Sequence, residues 1–121
     1  MAGEILKRRL SASTDGRFIT VTGTAATGTL IHTSISGTSA SGTYDEVWVW
    51  AHNTATIDRL LTLEWARSTG QAGQAFRFTV PTRDGGYLII PGWPLQNSRQ
   101  VRAFAAAASV ITIGGYVHRI S

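Results

Sequence analysis

Hydrophobic and polar residues alternate in short bursts along most of this chain, and clusters of Gly, Ser, Thr, Asn and Asp separate the bursts. Residues 17–22 set Phe18 on one side and Ile19 and Val21 on the other. Residues 29–35 form a second burst, followed by the polar, flexible loop 36–42. The strongest burst is Tyr44–Asn53, with Val47, Val49 and Ala51 opposite Glu46, Trp48, Trp50 and His52. In Arg59–Arg67 the same period of two turns Leu61, Leu63 and Trp65 inward and Thr62 and Glu64 outward.

Residues 76–80 alternate cleanly, and Pro81 stops them because proline has no N–H for a ladder. Residues 87–90 read as a short buried strand that Pro91, Gly92, Trp93 and Pro94 terminate. Residues 101–106 and 110–120 read as a terminal hairpin; the alanine run 103–108 offers a helical turn as its competitor. Gly114 and Gly115 inside the last run mark a bulge or a close backbone approach.

About eight such strands predict an all-β fold, a single β-sandwich or jelly-roll-like domain. That domain covers residues 15–121. Residues 1–14 differ in texture and are expected to form an extended N-terminal arm, with Ile5, Leu6, Lys7, Arg8, Arg9 and Leu10 as its amphiphilic patch.

Composition narrows the function. Charged residues make up only 15% of the chain, so Ser and Thr supply much of the surface polarity and an assembled state is expected. The chain has no cysteine, hence no disulfide or thiolate metal site, which fits folding in a reducing cytoplasm. No apolar run reaches the roughly 20 residues of a membrane helix, and the first residues do not read as a signal peptide. Net charge is +4, and ten of the eleven basic residues are arginine. Nucleic acid is the first partner such a balance suggests. Only Lys7, Arg8 and Arg9 cluster, however, and an arginine-rich, lysine-poor surface fits protein docking at least as well.

Catalytic chemistry is hard to find. Residues 23–30 imitate the spacing of a phosphate-binding loop, but Thr29 occupies the lysine position and a strand follows where a helix belongs. His32, His52 and His118 lie on different strands without ligand spacing and are expected to be exposed or interfacial. Asp45 with Glu46 or Glu64 could supply a carboxylate pair, and seven acidic residues in the whole chain make the pairing a chance one. The expectation is a non-enzyme with no cofactor and no metal.

The tryptophans carry more. Trp48 and Trp50 share one strand face, where they either bury against a partner subunit or stack on sugar rings or bases. Trp93, between Gly92 and Pro94, is expected in a loop as an exposed anchor.

The segments at residues 30–33, 45–49, 89–95, 101–108 and 113–117, in that order, resemble small virion structural proteins of tailed bacteriophages. Among these the chain is most similar to capsid decoration, or cement, proteins. The resemblance implies a β-sandwich made in a bacterial cytoplasm and carried on the virion's capsid surface, self-associated as a trimer. Its implied partner is the major capsid protein, with residues 5–10 as the contact arm and Trp48, Trp50 and Trp93 as interface candidates. The alternative is a carbohydrate-binding module of a phage tail.

Overall fold

A computed structural model describes residues 4–38, 40, 42–82 and 85–121. Met1, Ala2 and Gly3 of the expected arm, Ser39 and Ser41 of the polar loop, and Arg83 and Asp84 of a turn lie outside the described residues.

Nine strands among the described residues build two antiparallel sheets that close on one core. They are β1 (Ile5–Arg9), β2 (Ile19–Thr20), β3 (Thr29–Thr33), β4 (Tyr44–Asn53), β5 (Arg59–Arg67), β6 (Gln74–Val80), β7 (Tyr87–Leu95), β8 (Gln100–Ala105) and β9 (Ile111–Ile120). The first sheet runs β1-β9-β4-β7, with β2 also pairing β9; the second runs β3-β8-β5-β6. No helix of the described residues is long and apolar enough to cross a membrane.

The alternation read from the sequence sets the packing. Val47, Val49 and Ala51 of β4 and Ile111, Ile113 and Val117 of β9 face Ile31, Leu61, Leu63, Val101 and Ala103 of the opposite sheet, all fully buried. Each Val, Leu or Ile among them contributes roughly 1.5–3 kcal/mol by leaving water. The long pairing of β4 with β9, from Tyr44↔Ile120 to Asn53↔Ile111, is the spine of the first sheet.

Four expectations are corrected. The terminal hairpin does not form: β8 pairs with β3 and β5, whereas β9 pairs with β4 and β1, so the chain crosses between sheets after Ala105. Residues 106–110, which include the end of the alanine run, make that crossing as bends and a turn. Next, β7 continues through Pro91 and Pro94 to Leu95. As an edge strand with two register shifts against β4, it accommodates prolines that a central strand would not. Thr62 and Glu64 keep the side of β5 opposite Leu61 and Leu63 but are covered there rather than exposed; Glu64 accepts from the Arg67 guanidinium at 2.7 Å and from the Gly73 amide at 3.2 Å.

The fourth correction concerns the arm. Residues 5–9 lie against β9 as strand β1, from Ile5↔Ile120 to Arg9↔Tyr116. Leu10 follows as a core residue, 1% exposed. The chain then crosses to the second sheet, where the Ala12 amide donates to the Ile31 carbonyl and the Ser11 hydroxyl accepts from the Thr33 amide. It returns to β9 as β2, and Val21 enters the core. Residues 10–13 therefore close one side of the sandwich.

Candidate functional site

Two places concentrate polar and aromatic groups: a buried cluster at one end of the sandwich and the outer face of the first sheet with its β1 edge.

The buried cluster centres on Asp45. It falls in the inward phase of β4, two residues before Val47, and its carboxylate is fully enclosed. Arg119 of β9 lies opposite in register and donates from Nε at 2.8 Å to Oδ1 and from Nη2 at 3.1 Å to Oδ2. The Ile35 amide adds a third donor at 3.1 Å. His32 of β3 contacts Asp45 Oδ2 through Nε2 at 2.8 Å, while its Nδ1 accepts from the Ser11 amide at 3.0 Å. An amide can only donate, so Nδ1 is the unprotonated nitrogen and Nε2–H points at the carboxylate. His32, expected exposed, is 1% exposed, and its ring ties segment 10–13 to β4.

Burial alone would raise the Asp45 pKa. The hydrogen bonds from His32 and Arg119, and the charge of Arg119, outweigh it and hold the carboxyl at about 2. Hydrogen bonding to Asp45 raises the Arg119 pKa. Because the folded value lies below the ordinary carboxylate value near 4, the stabilisation is complete above that value and lost as pH falls through about 2. About 2.5 kcal/mol should therefore disappear between roughly pH 4.5 and pH 2. Urea melts across this range should show the loss in the wild type and little of it in Asp45→Asn.

On the outer face, adjacent strands line up Glu46, Trp48 and Trp50 of β4 with His118, Tyr116 and Gly114 of β9. The Trp48 ring lies 22° from the plane of Tyr116 at 6.4 Å between centroids, and the Trp50 centroid is 5.8 Å from Tyr116. The Lys7 ammonium stands 4.5 Å from the Tyr116 centroid, a cation–π contact. Glu46 Oε1 accepts from Trp48 Nε1 at 2.9 Å and pairs with His118 Nδ1 at 3.2 Å. Beside β1, an open cleft of about 490 Å³ is lined by Lys7, Arg8, Arg9, Leu10, Ser11, Ser13, Gly115 and Tyr116.

The expected site residues thus divide. Ile5, Leu6, Lys7, Arg8 and Arg9 are exposed on β1, while Leu10 is buried beside them. Trp48 and Trp50 are half-buried on the outer face. Trp93, expected in a loop, is a residue of β7 opposite Val47 and turns toward the core. It meets Trp65 edge-on at 5.3 Å and Phe76 at 5.1 Å. The residues suggested for catalysis do not converge. Asp45 and Glu46 point to opposite faces of β4, and Glu64 lies in the other sheet. His52 contacts the Gly85 carbonyl, remote in register from His118. Among the described residues no three His, Asp or Glu side chains form a metal-holding group. The phosphate-loop imitation is a connection closed by the Thr29 hydroxyl, which accepts from the Thr22 and Gly23 amides.

Sequence reasoning named Asp45 only for a carboxylate pair and missed its buried contacts with Arg119 and His32, and it missed Asn53 altogether. Both lie in phase with Val47, Val49 and Ala51, and that phase was the available signal. Asn53 is buried because it donates to the Ile57 and Val80 carbonyls and accepts from the Ala55 amide.

Comparison of the chain with protein-family profiles, with curated proteins and with solved structures gives no match.

Proposed function

We propose that this chain is a non-enzymatic decoration protein of a bacteriophage capsid, docking on the shell through the β1 edge and reinforcing it by bridging capsid subunits, with self-association as a trimer. The observation that carries this reading is the state of β1. All five residues are exposed, with Ile5 at 66%. Glu4 and Ser121 exchange both of their main-chain hydrogen bonds, at 3.1 and 3.0 Å. In an antiparallel ladder, bonded residues alternate, so Ile5, Lys7 and Arg9 turn their N–H and C=O groups away from β9.

An open edge of this kind accepts another strand, with main-chain bonds supplying affinity and side chains supplying register. None of Lys7, Arg8 and Arg9 forms an ion pair among the described residues. An extended, acidic segment of the major capsid protein complements such an edge, each opposed charge pair adding roughly 0.2–1 kcal/mol.

Deleting residues 2–12 would be a poor test, since it removes Leu10 from the core and Ser11 from His32. Two variants leave the fold in place. Ile5→Pro removes an outward N–H that β9 does not use, and proline is tolerated at such edge positions. Reversing Arg8 and Arg9 to Glu changes the charge of an exposed strand and keeps the Lys7 contact with Tyr116. Each should keep the wild-type melting temperature and lower occupancy on shells lacking the protein at least about tenfold. Full occupancy by both variants would remove the edge from the account.

A further inference from the structure

The outer face of the first sheet is built in a way that edge docking does not require. The Trp48 indole lies over Gly92 of β7: a Cβ added to that glycine would stand 2.7, 3.0 and 3.3 Å from ring atoms Cζ2, Cε2 and Cη2. The Phe18 ring lies over Gly114 of β9 in the same manner, and a Cβ there would clash with the ring. Trp50 is the β4 residue opposite Gly114 and stands beside Gly86, whose added Cβ would lie 3.7 Å from the Trp50 Cβ. The missing side chains at Gly92 and Gly114 leave the space that the Trp48 and Phe18 rings occupy along the sheet. Phe18 is 48% exposed and Trp48 and Trp50 are partly so.

The rim of this floor is polar. Glu46 has both of its contacts on Oε1, so Oε2 is an acceptor without a partner among the described residues. His118 shares that rim, and the Lys7 ammonium covers Tyr116. The core of a protein–protein contact is depleted of charge, and charges set into the aromatic row disfavour that use. A saccharide needs the combination: the C–H face of a pyranose ring packs on an aromatic face, while its hydroxyls, at the ring edge, seek carboxylate and imidazole partners.

We infer that Phe18, Trp48 and Trp50, with Glu46 and His118 at their rim, form a binding surface for an extended polysaccharide of equatorially linked hexoses, whose rings lie in one flat ribbon. A coiled, axially linked chain cannot lay successive rings on one plane and is excluded by shape. This surface is separate from the main-chain edge of β1, and its occupancy does not depend on the capsid reading.

The test uses the intact chain, with cellohexaose and chitohexaose as probes and maltohexaose as control. The four indole N–H resonances are followed by heteronuclear NMR and assigned through Trp48→Phe and Trp50→Phe. A saturable shift of the Trp48 and Trp50 signals with either flat probe is expected. The Trp65 and Trp93 signals, which belong to the core, should stay still, and maltohexaose should move none. Trp48→Ala should weaken binding at least about tenfold, whereas Arg77→Ala, on an exposed position of β6, should leave it unchanged. Glu46→Gln, which preserves the packing, should weaken it as well. Absence of saturable shifts in the folded wild-type chain would overturn the inference. So would equal response to all three probes, or shifts that depend on protein concentration alone and assign the face to a second copy.

Discussion

Replacing Asp45 by Ala should cost about 3–5 kcal/mol of folding stability, the largest effect of any single polar substitution in this chain. The carboxylate is fully enclosed and accepts from Arg119 twice, from His32 and from the Ile35 amide. Alanine removes the acceptor and leaves a guanidinium, an imidazole N–H and an amide facing a gap. The cost comes chiefly from those orphaned donors. Against a total stability of about 5–15 kcal/mol for a small domain, this is a large share. Asn at the same position retains one acceptor oxygen and should cost less. The consequence reaches the putting together of both sheets, because His32 passes the contact on to the Ser11 amide. Denaturant melts would give the size, and hydrogen exchange should show the Ser11 and Ile35 amides opening first. A loss below about 1 kcal/mol would mean that the cluster is not the tie between segment 10–13 and β4.

Gly115→Ala should be nearly as damaging, at about 3 kcal/mol or more. Gly115 has φ of +150°, a region that L side chains rarely adopt, and an added Cβ would strike the Trp48 carbonyl. That carbonyl belongs to the central β4–β9 pairing, so relief requires the two strands to part. Gly114→Ala is the informative comparison. The atoms nearest its Cβ all belong to the Phe18 ring, an exposed side chain that can swing away. It should cost about 1 kcal/mol and detach Phe18 from the sheet. Similar melting temperatures for the two variants would contradict this reading of the glycine pair.

The sandwich itself was legible because a strand buried on one side writes its period of two into the sequence. Tyr44–Asn53 does so without a break. Sheet membership was not legible. Alternation reports which side chains face inward but not which strand lies alongside, and β8 and β9 look like a hairpin until their partners are known. Pro91 and Pro94 misled for a related reason: whether a proline ends a strand depends on its being an edge, which is a property of the sheet. His32 gave no local signal because its partners, Ser11 and Asp45, lie 21 and 13 residues away. Trp93 looked like a loop anchor from its Gly and Pro neighbours, yet those neighbours bend an edge strand and deliver the ring onto Trp65. Trp48 and Trp50 were assigned to the correct face. Their posture over Gly92 and beside Gly86 depends on residues some forty positions away and could not be read in advance.

The β1 edge illustrates the same limit. The cluster of Lys7, Arg8 and Arg9 was visible in the sequence, while its pairing with β9, and the outward turn of alternate main-chain groups, follow from register alone. The capsid reading rests on that edge. Its most direct test is immunogold labelling of virions from the source lysate with an antibody against this chain. Label distributed over the heads is the predicted result; label confined to tails, or absent from particles, would contradict it.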